Sequence, residues 1–163
     1  TQAGSIGRRC GGRLGARRPR PASMRIVVPD ASVLLKWVLP AERETYIEQA
    51  FALRDAFVAG RCRLLLPSLW IYEVGNVLAL KRPRRAVEAL NLLVAFKFEF
   101  AEPDDACRNK AFELTEHFGV SFYDAAYHAL ATVNHGVFVT PDDKYLRRVD
   151  PAAYVISLKD WRR

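Results

Sequence analysis

Short β-branched, apolar runs alternate with longer helix-like segments along most of this chain, and that alternation constrains its fold more than any other feature. The runs are residues 25–28, 63–66, 97–101, 137–140 and 153–158. Between them, apolar spacing and breaker residues predict helices over 32–39 (ended by Pro40), 44–59 (closed by Gly60), 68–82 and 84–96 on either side of Pro83. Further helices are predicted over 104–118, before Gly119, and 121–134, before Gly136, with a helical turn over 142–148. Strands separated by helices pair in parallel, with the crossover helices covering both faces of the sheet. The expected class is therefore α/β with a mainly parallel sheet. Ligands of such sheets bind beyond the carboxyl ends of the strands, so the residues just past each run are the ones to inspect.

A chain of 163 residues, half of them hydrophobic and 26% charged, is long enough for one ordinary domain with a proper core. The formal net charge of +7 suggests a nucleic-acid surface until it is divided. Residues 1–23 hold six arginines and no acid, and removing six from 25 basic residues leaves 19 against 18 acidic ones. Any RNA-binding surface on the domain must therefore be local. The 1–23 segment, rich in Gly, Arg and Pro, is expected to be a disordered extension, with the domain running over 24–163 and the native start near Met24. An Arg-rich, acid-poor stretch of this kind is also the composition of an organellar transit peptide. The segment from Leu64 to Leu80 is interrupted by Pro67, Glu73 and Asn76, so it is no membrane span. Cys10, Cys62 and Cys107 form no C-x-x-C pair, which argues against a disulfide framework or zinc site and for a reducing, cytoplasmic setting.

Four acids stand where a core-building chain has no structural need of a charge. Asp30 follows the first run, in IVVPDASVLLKW; it is either a helix N-cap or a site residue. Asp142 and Asp143 follow the fourth run, with the same two readings. Glu73 lies in WIYEVGNVLAL, apolar nearly all round, so that helix is expected to be mostly buried and its carboxylate to need a partner; Asn76 shares its face one turn on. Asp124 stands in capping-box register with Ser121, which explains it without any chemistry, yet a small apolar run follows it. Described together, the four make one site. Carboxylates crowded in a pocket raise one another's pKa unless a cation neutralises them. All-oxygen ligands with no His or Cys pattern favour Mg²⁺ or Mn²⁺, the ions of phosphodiester hydrolysis.

With those residues in place, the chain resembles the PIN-domain ribonucleases, in particular the VapC-like toxins of toxin–antitoxin pairs. The matching pieces are VVPDASVLLKW, PSLWIYEVGNVL, SFYDAAYHALA and VFVTPDDKYL, in the family's order between Met24 and Trp161. The resemblance implies a three-layer α/β/α sandwich with an acidic pocket at the strand ends. It carries the family's catalytic acids onto Asp30, Glu73, Asp124 and Asp142, with Asp30, Asp124 and Asp142 as metal ligands. Glu73 would ligate directly, through water, or by orienting the attacking water. Ser32, Asn76 and Thr140 fall on supporting positions. Pro141 stands where the family usually has a small residue, and the doubled acid leaves Asp142, favoured by position, and Asp143 as alternatives. The implied activity is Mg²⁺-dependent endoribonuclease cleavage of RNA with water as nucleophile. The implied partners are a cognate antitoxin and a second copy in a homodimer.

Other features carry weaker expectations. Arg84 and Arg85, in KRPRR, and Arg147 and Arg148, past the acidic pair, are candidate phosphate contacts, set against a solvated turn for the first pair. His128 reads as a helix-face histidine; Trp70, Tyr72 and Phe122 read as core. Two other classes remain. A phosphatase- or receiver-type Mg²⁺ domain also places an Asp after a strand, but the first type wants a second acid where this chain has Ser32. Receivers want adjacent acids, and Asp30 stands alone. A catalytically weak PIN-like domain that acts by binding a protein is the other.

Overall fold

All five strands predicted from the apolar runs are present in a computed structural model of the chain, and they pair in parallel throughout. The structure describes residues 24–40, 45–149 and 154–162. The expected N-terminal extension, Cys10, the predicted helix start at 44 and the strand start at 153 lie outside the described residues.

The strands are β1 (Arg25–Pro29), β2 (Cys62–Pro67), β3 (Glu99–Ala101), β4 (Val137–Thr140) and β5 (Val155–Ser157), in the spatial order β3-β2-β1-β4-β5. The helices are α1 (Ala31–Leu35), α2 (Ile47–Val58), α3 (Trp70–Lys81), α4 (Ala86–Val94), α5 (Asp105–Phe118), α6 (Phe122–Val133) and α7 (Asp143–Leu146), followed by a 3-10 turn at Leu158–Asp160. The result is the expected α/β sandwich. Because β1 is central, the chain builds outward first through β2 and β3, then returns to add β4 and β5 on the other side. The order reverses between β1 and β4, and at such a switch point the crossovers diverge and leave a crevice beyond the strand ends.

Burial explains why these runs are strands. Val27, Val28, Leu64, Leu66, Phe138 and Val139 are shut off from solvent, as central parallel strands covered on both faces must be. Gly136, at the head of β4, lies so close to β1 that a Cβ there would stand 2.8 Å from the Ile26 carbonyl oxygen. Helix starts follow their capping chemistry: the Asp104 and Ser121 side chains accept the Cys107 and Asp124 N–H groups, at 2.8 and 3.1 Å.

Three expectations need correction. α1 ends at Leu35 and continues only as turns, because the next bonds tighten to three-residue spacing, Trp37 N–H to the Leu34 carbonyl and Val38 N–H to that of Leu35, each at 3.1 Å. β3 begins at Glu99 and not at 97, because Lys97 takes a left-handed φ of 53°. α3 is not buried all round. It packs on α1 and α4 through Trp70, Val74 and Leu78, while Tyr72 and Leu80 are 78% and 77% exposed.

Candidate active site

Asp30 immediately follows β1, and its two carboxylate oxygens are held from different directions. Oδ1 accepts the Ser32 N–H at 2.8 Å, which caps α1, and the Ser32 hydroxyl adds a second bond. Oδ2 accepts the hydroxyl of Thr140 at 2.7 Å. Thr140 ends β4 and is fully buried; its Oγ1 also accepts the Asp142 N–H at 3.1 Å. One threonine thus ties the ends of β1 and β4 across the switch point. The cap and the site reading of Asp30 are therefore compatible. Burial pushes its carboxyl above the usual range, the bonds from Ser32 and Thr140 pull it back, and the nearby charge of Asp124 adds to the rise.

Glu73 comes from the first turn of α3 and is half-buried. Its carboxyl is pushed from its ordinary 4.5 up to about 7, first by burial and further by the charges of Asp30 and Asp124. The Tyr127 hydroxyl opposes that rise by donating to Oε2. Asp124, in the first turn of α6, is tied to its own cap: the Ser121 hydroxyl donates to Asp124 Oδ2 at 2.6 Å while accepting the Asp124 N–H. Three of the four acids therefore feel one another's charge.

The Asp142 carboxylate is taken up by α7. Its Oδ1 caps α7, accepting the N–H groups of Lys144 and Tyr145 at 2.8 and 3.0 Å, and the residue is exposed. Asp143, the first residue of α7, is also exposed and lines a groove of about 510 Å³ with Arg147, Ser157 and Lys159. Arg148 donates to the Gly119 carbonyl at 2.6 Å, which ties the end of α7 to the α5–α6 turn. Asn76 lies exposed on α3, and Arg84 and Arg85 are exposed in the α3–α4 turn, Arg85 3.4 Å from Glu88.

Two residues beside these acids differ from the sequence reading: Tyr127, which was not singled out, and His128. Tyr127 is buried with its ring stacked on Phe138, centroids 5.9 Å apart, and it reaches from α6 to the Glu73 carboxylate. His128, expected as a helix-face histidine, points into the core. It is fully buried, and its Nδ1 lies 2.8 Å from the hydroxyl of Tyr145 on α7. Only the small-residue run around them, which lets α6 lie close on β1, β2 and β4, hinted that side chains at these positions point into the core. Trp70 is core as expected. Phe122 is not: it is 37% exposed and packs on Phe112.

Among the described residues no group of three or more His, Cys, Asp or Glu side chains is placed so that it could hold a metal ion. The donor chemistry nevertheless fits a hard divalent ion: Asp30, Glu73 and Asp124 offer oxygen alone, and their mutual repulsion is what a cation would relieve. His128 is turned away toward Tyr145, and Cys62 and Cys107 are buried free thiols.

The family model for the PIN domain matches residues 27–151, well over half of the chain. No curated protein matches it by sequence. Among solved structures, PAE2754 from Pyrobaculum aerophilum is 24% identical at a TM-score of 0.58, covering 85% of this chain and 93% of that one. VapBC2 from Rickettsia felis, bound to a DNA fragment from its promoter, is 14% identical at a TM-score of 0.61, covering 81% and 98%. A toxin–antitoxin complex from Klebsiella pneumoniae is 14% identical at a TM-score of 0.59, covering 81% and 97%. At these identities the likeness is one of fold.

Proposed function

The chain belongs to the PIN domain family, and on that premise we propose that it is a Mg²⁺- or Mn²⁺-dependent endoribonuclease, the toxin of a toxin–antitoxin pair. The observation that supports the reading is the electrostatic influence among Asp30, Glu73 and Asp124, with Glu73 pushed up to about 7. The hydrogen bonds to these carboxylates come from neutral donors: Ser32 and Thr140 for Asp30, Tyr127 for Glu73 and Ser121 for Asp124.

Asp30 and Asp124 are the primary metal ligands in this reading, with Asp142 closing from the rim. When bound, the ion would neutralise charge on the attacked phosphate and acidify a water molecule. Asp30 presents its oxygens from a fixed carboxylate, since Ser32 and Thr140 hold both of them. Ser121 does the same for Asp124. Glu73, held by the Tyr127 hydroxyl, is in this reading the carboxylate that orients the attacking water and accepts its proton. Asp143 flanks the rim and, with Arg147 and Lys159, lines the groove along which the RNA backbone would run. Arg148 serves that groove by fixing the end of α7, and Arg84 and Arg85 form a second, outlying phosphate contact.

The partners follow from exposed apolar surface. Tyr72 and Leu80 on α3, with Val87 and Leu92 on α4, are 57–78% exposed. Patches of this kind mark association surfaces, and we assign them to an antitoxin and to a second copy of the chain. Several of the structural relatives are toxin–antitoxin complexes, which supports the first partner. Within the described residues no helix is long and apolar enough to cross a membrane, and the two thiols are unpaired, as suits a cytoplasmic protein.

The test is cleavage of a labelled single-stranded RNA with Mg²⁺, Mn²⁺ or EDTA, comparing the protein with Asp30→Asn and Asp124→Asn. Cleavage that needs the metal and is lost in both variants supports the reading. Cleavage unaffected by Asp30→Asn, or absent from the native protein while antitoxin-like partners still bind, would contradict it and leave a protein-binding module.

A further inference from the structure

Tyr127 is a buried phenol that the chemistry above leaves unused. Its ring is 3% exposed and fixed against Phe138, itself buried at the centre of β4. From that platform the hydroxyl donates to Glu73 Oε2 across 54 residues of sequence. Glu73 otherwise hangs from the first turn of α3, a helix whose outer face is open to solvent. A glutamate has three rotatable bonds, and an α3 carboxylate with no anchor would sweep between the crevice and water. The tyrosine has two, and both are locked by packing.

We infer that Tyr127 is a positioning residue: by donating to Oε2 it fixes the orientation of the Glu73 carboxylate, committing one oxygen to the core and directing the other toward Asp30 and Asp124. The contact joins α6, which carries Asp124, to α3, which carries Glu73, so it also sets the spacing of those two acids. His128, the next residue, makes a companion tie from α6 to Tyr145 of α7, whose N–H is accepted by Asp142. The consequence for catalysis rests on the nuclease reading; the positioning does not. A charge-assisted bond from a phenol to a carboxylate is strong enough that its loss would reduce turnover roughly ten- to a hundredfold.

The experiment is Tyr127→Phe, which removes one oxygen and keeps the stacked ring. Two readouts are taken. In metal-free, RNA-free protein labelled with ¹³Cδ-glutamate, the Glu73 resonance is assigned by its absence in Glu73→Gln; in Tyr127→Phe it is expected to shift and broaden as the carboxylate samples several orientations. In steady-state cleavage, kcat falls while KM for RNA stays within about twofold, and adding Tyr127→Phe to Glu73→Gln produces no further loss, as expected for residues acting through one group. A merely structural tyrosine would lower the melting temperature and leave kcat per folded molecule unchanged; that result overturns the inference. So does a Glu73 resonance that ignores the substitution, or losses that multiply in the double variant. If the native protein cleaves no RNA, the nuclease reading fails and the resonance alone decides on Tyr127. If it cleaves and Tyr127→Phe cleaves equally well, the inference fails and the nuclease reading stands.

Discussion

Replacing Glu73 by Gln should stabilise the metal-free protein above neutral pH and leave it nearly unchanged in acid. Glu73 is pushed from 4.5 to about 7 in the folded chain. A carboxyl raised on folding contributes stability that is fully present below 4.5 and is lost as pH rises through about 7, because the unfolded chain ionises first. At about 1.4 kcal/mol for each tenfold, that interval corresponds to roughly 3 kcal/mol. Glu73 is only half-buried, so solvent screening reduces the figure to about 1–2 kcal/mol. Gln keeps the shape and the oxygen that Tyr127 donates to, but it cannot ionise. Urea unfolding in EDTA at pH 4.5 and at pH 8, for native protein and Glu73→Gln, measures the difference directly. The variant should gain about 1–2 kcal/mol on the native protein between the two pH values. Saturating Mg²⁺ should cancel most of that gain by stabilising the native protein. Identical pH dependence in the two proteins would refute the claim that burial and neighbouring charge raise the Glu73 carboxyl.

Thr140→Val removes the hydroxyl that bonds both Asp30 Oδ2 and the Asp142 N–H. It should cost about 1–3 kcal/mol in thermal unfolding and weaken Mn²⁺ binding more at pH 6 than at pH 8, by calorimetry, because Asp30 loses a bond that favours its ionised form. Gly136→Ala brings a Cβ to 2.8 Å from the Ile26 carbonyl. Backbone cannot swing aside, so the variant should lose about 1–3 kcal/mol with no change in the pH profile of whatever activity remains. Tyr145→Phe breaks the α6–α7 tie to His128 and should speed hydrogen exchange at residues 143–146 while leaving α3 unchanged.

The strands were legible because buried parallel strands are nearly continuous apolar runs; Val137–Thr140 falls where its four residues predict. The helix starts at Asp105 and Phe122 were legible through their caps. Asp30 was legible as an acid beyond a strand, and the cap that competed with the site reading turned out to hold the same carboxylate. Faces were harder. The composition of α3 exceeds what one buried stripe requires, and nothing local says that Tyr72 and Leu80 lie outside while Trp70 and Leu78 lie inside. Tyr127 and His128 were illegible for a different reason: their partners, Glu73 and Tyr145, lie 54 and 17 residues away and are brought near only by the sheet. The Asp142 carboxylate is likewise engaged by the first turn of α7, which its position in the sequence left open.

The central claim is that Asp30 and Asp124 share one cation-binding crevice with Glu73. Anomalous diffraction from crystals soaked in Mn²⁺ tests it most directly. A single strong peak is expected at coordination distance from oxygens of both Asp30 and Asp124, absent from crystals of Asp30→Asn. A peak remote from these two residues, or the same peak persisting in Asp30→Asn, would contradict it.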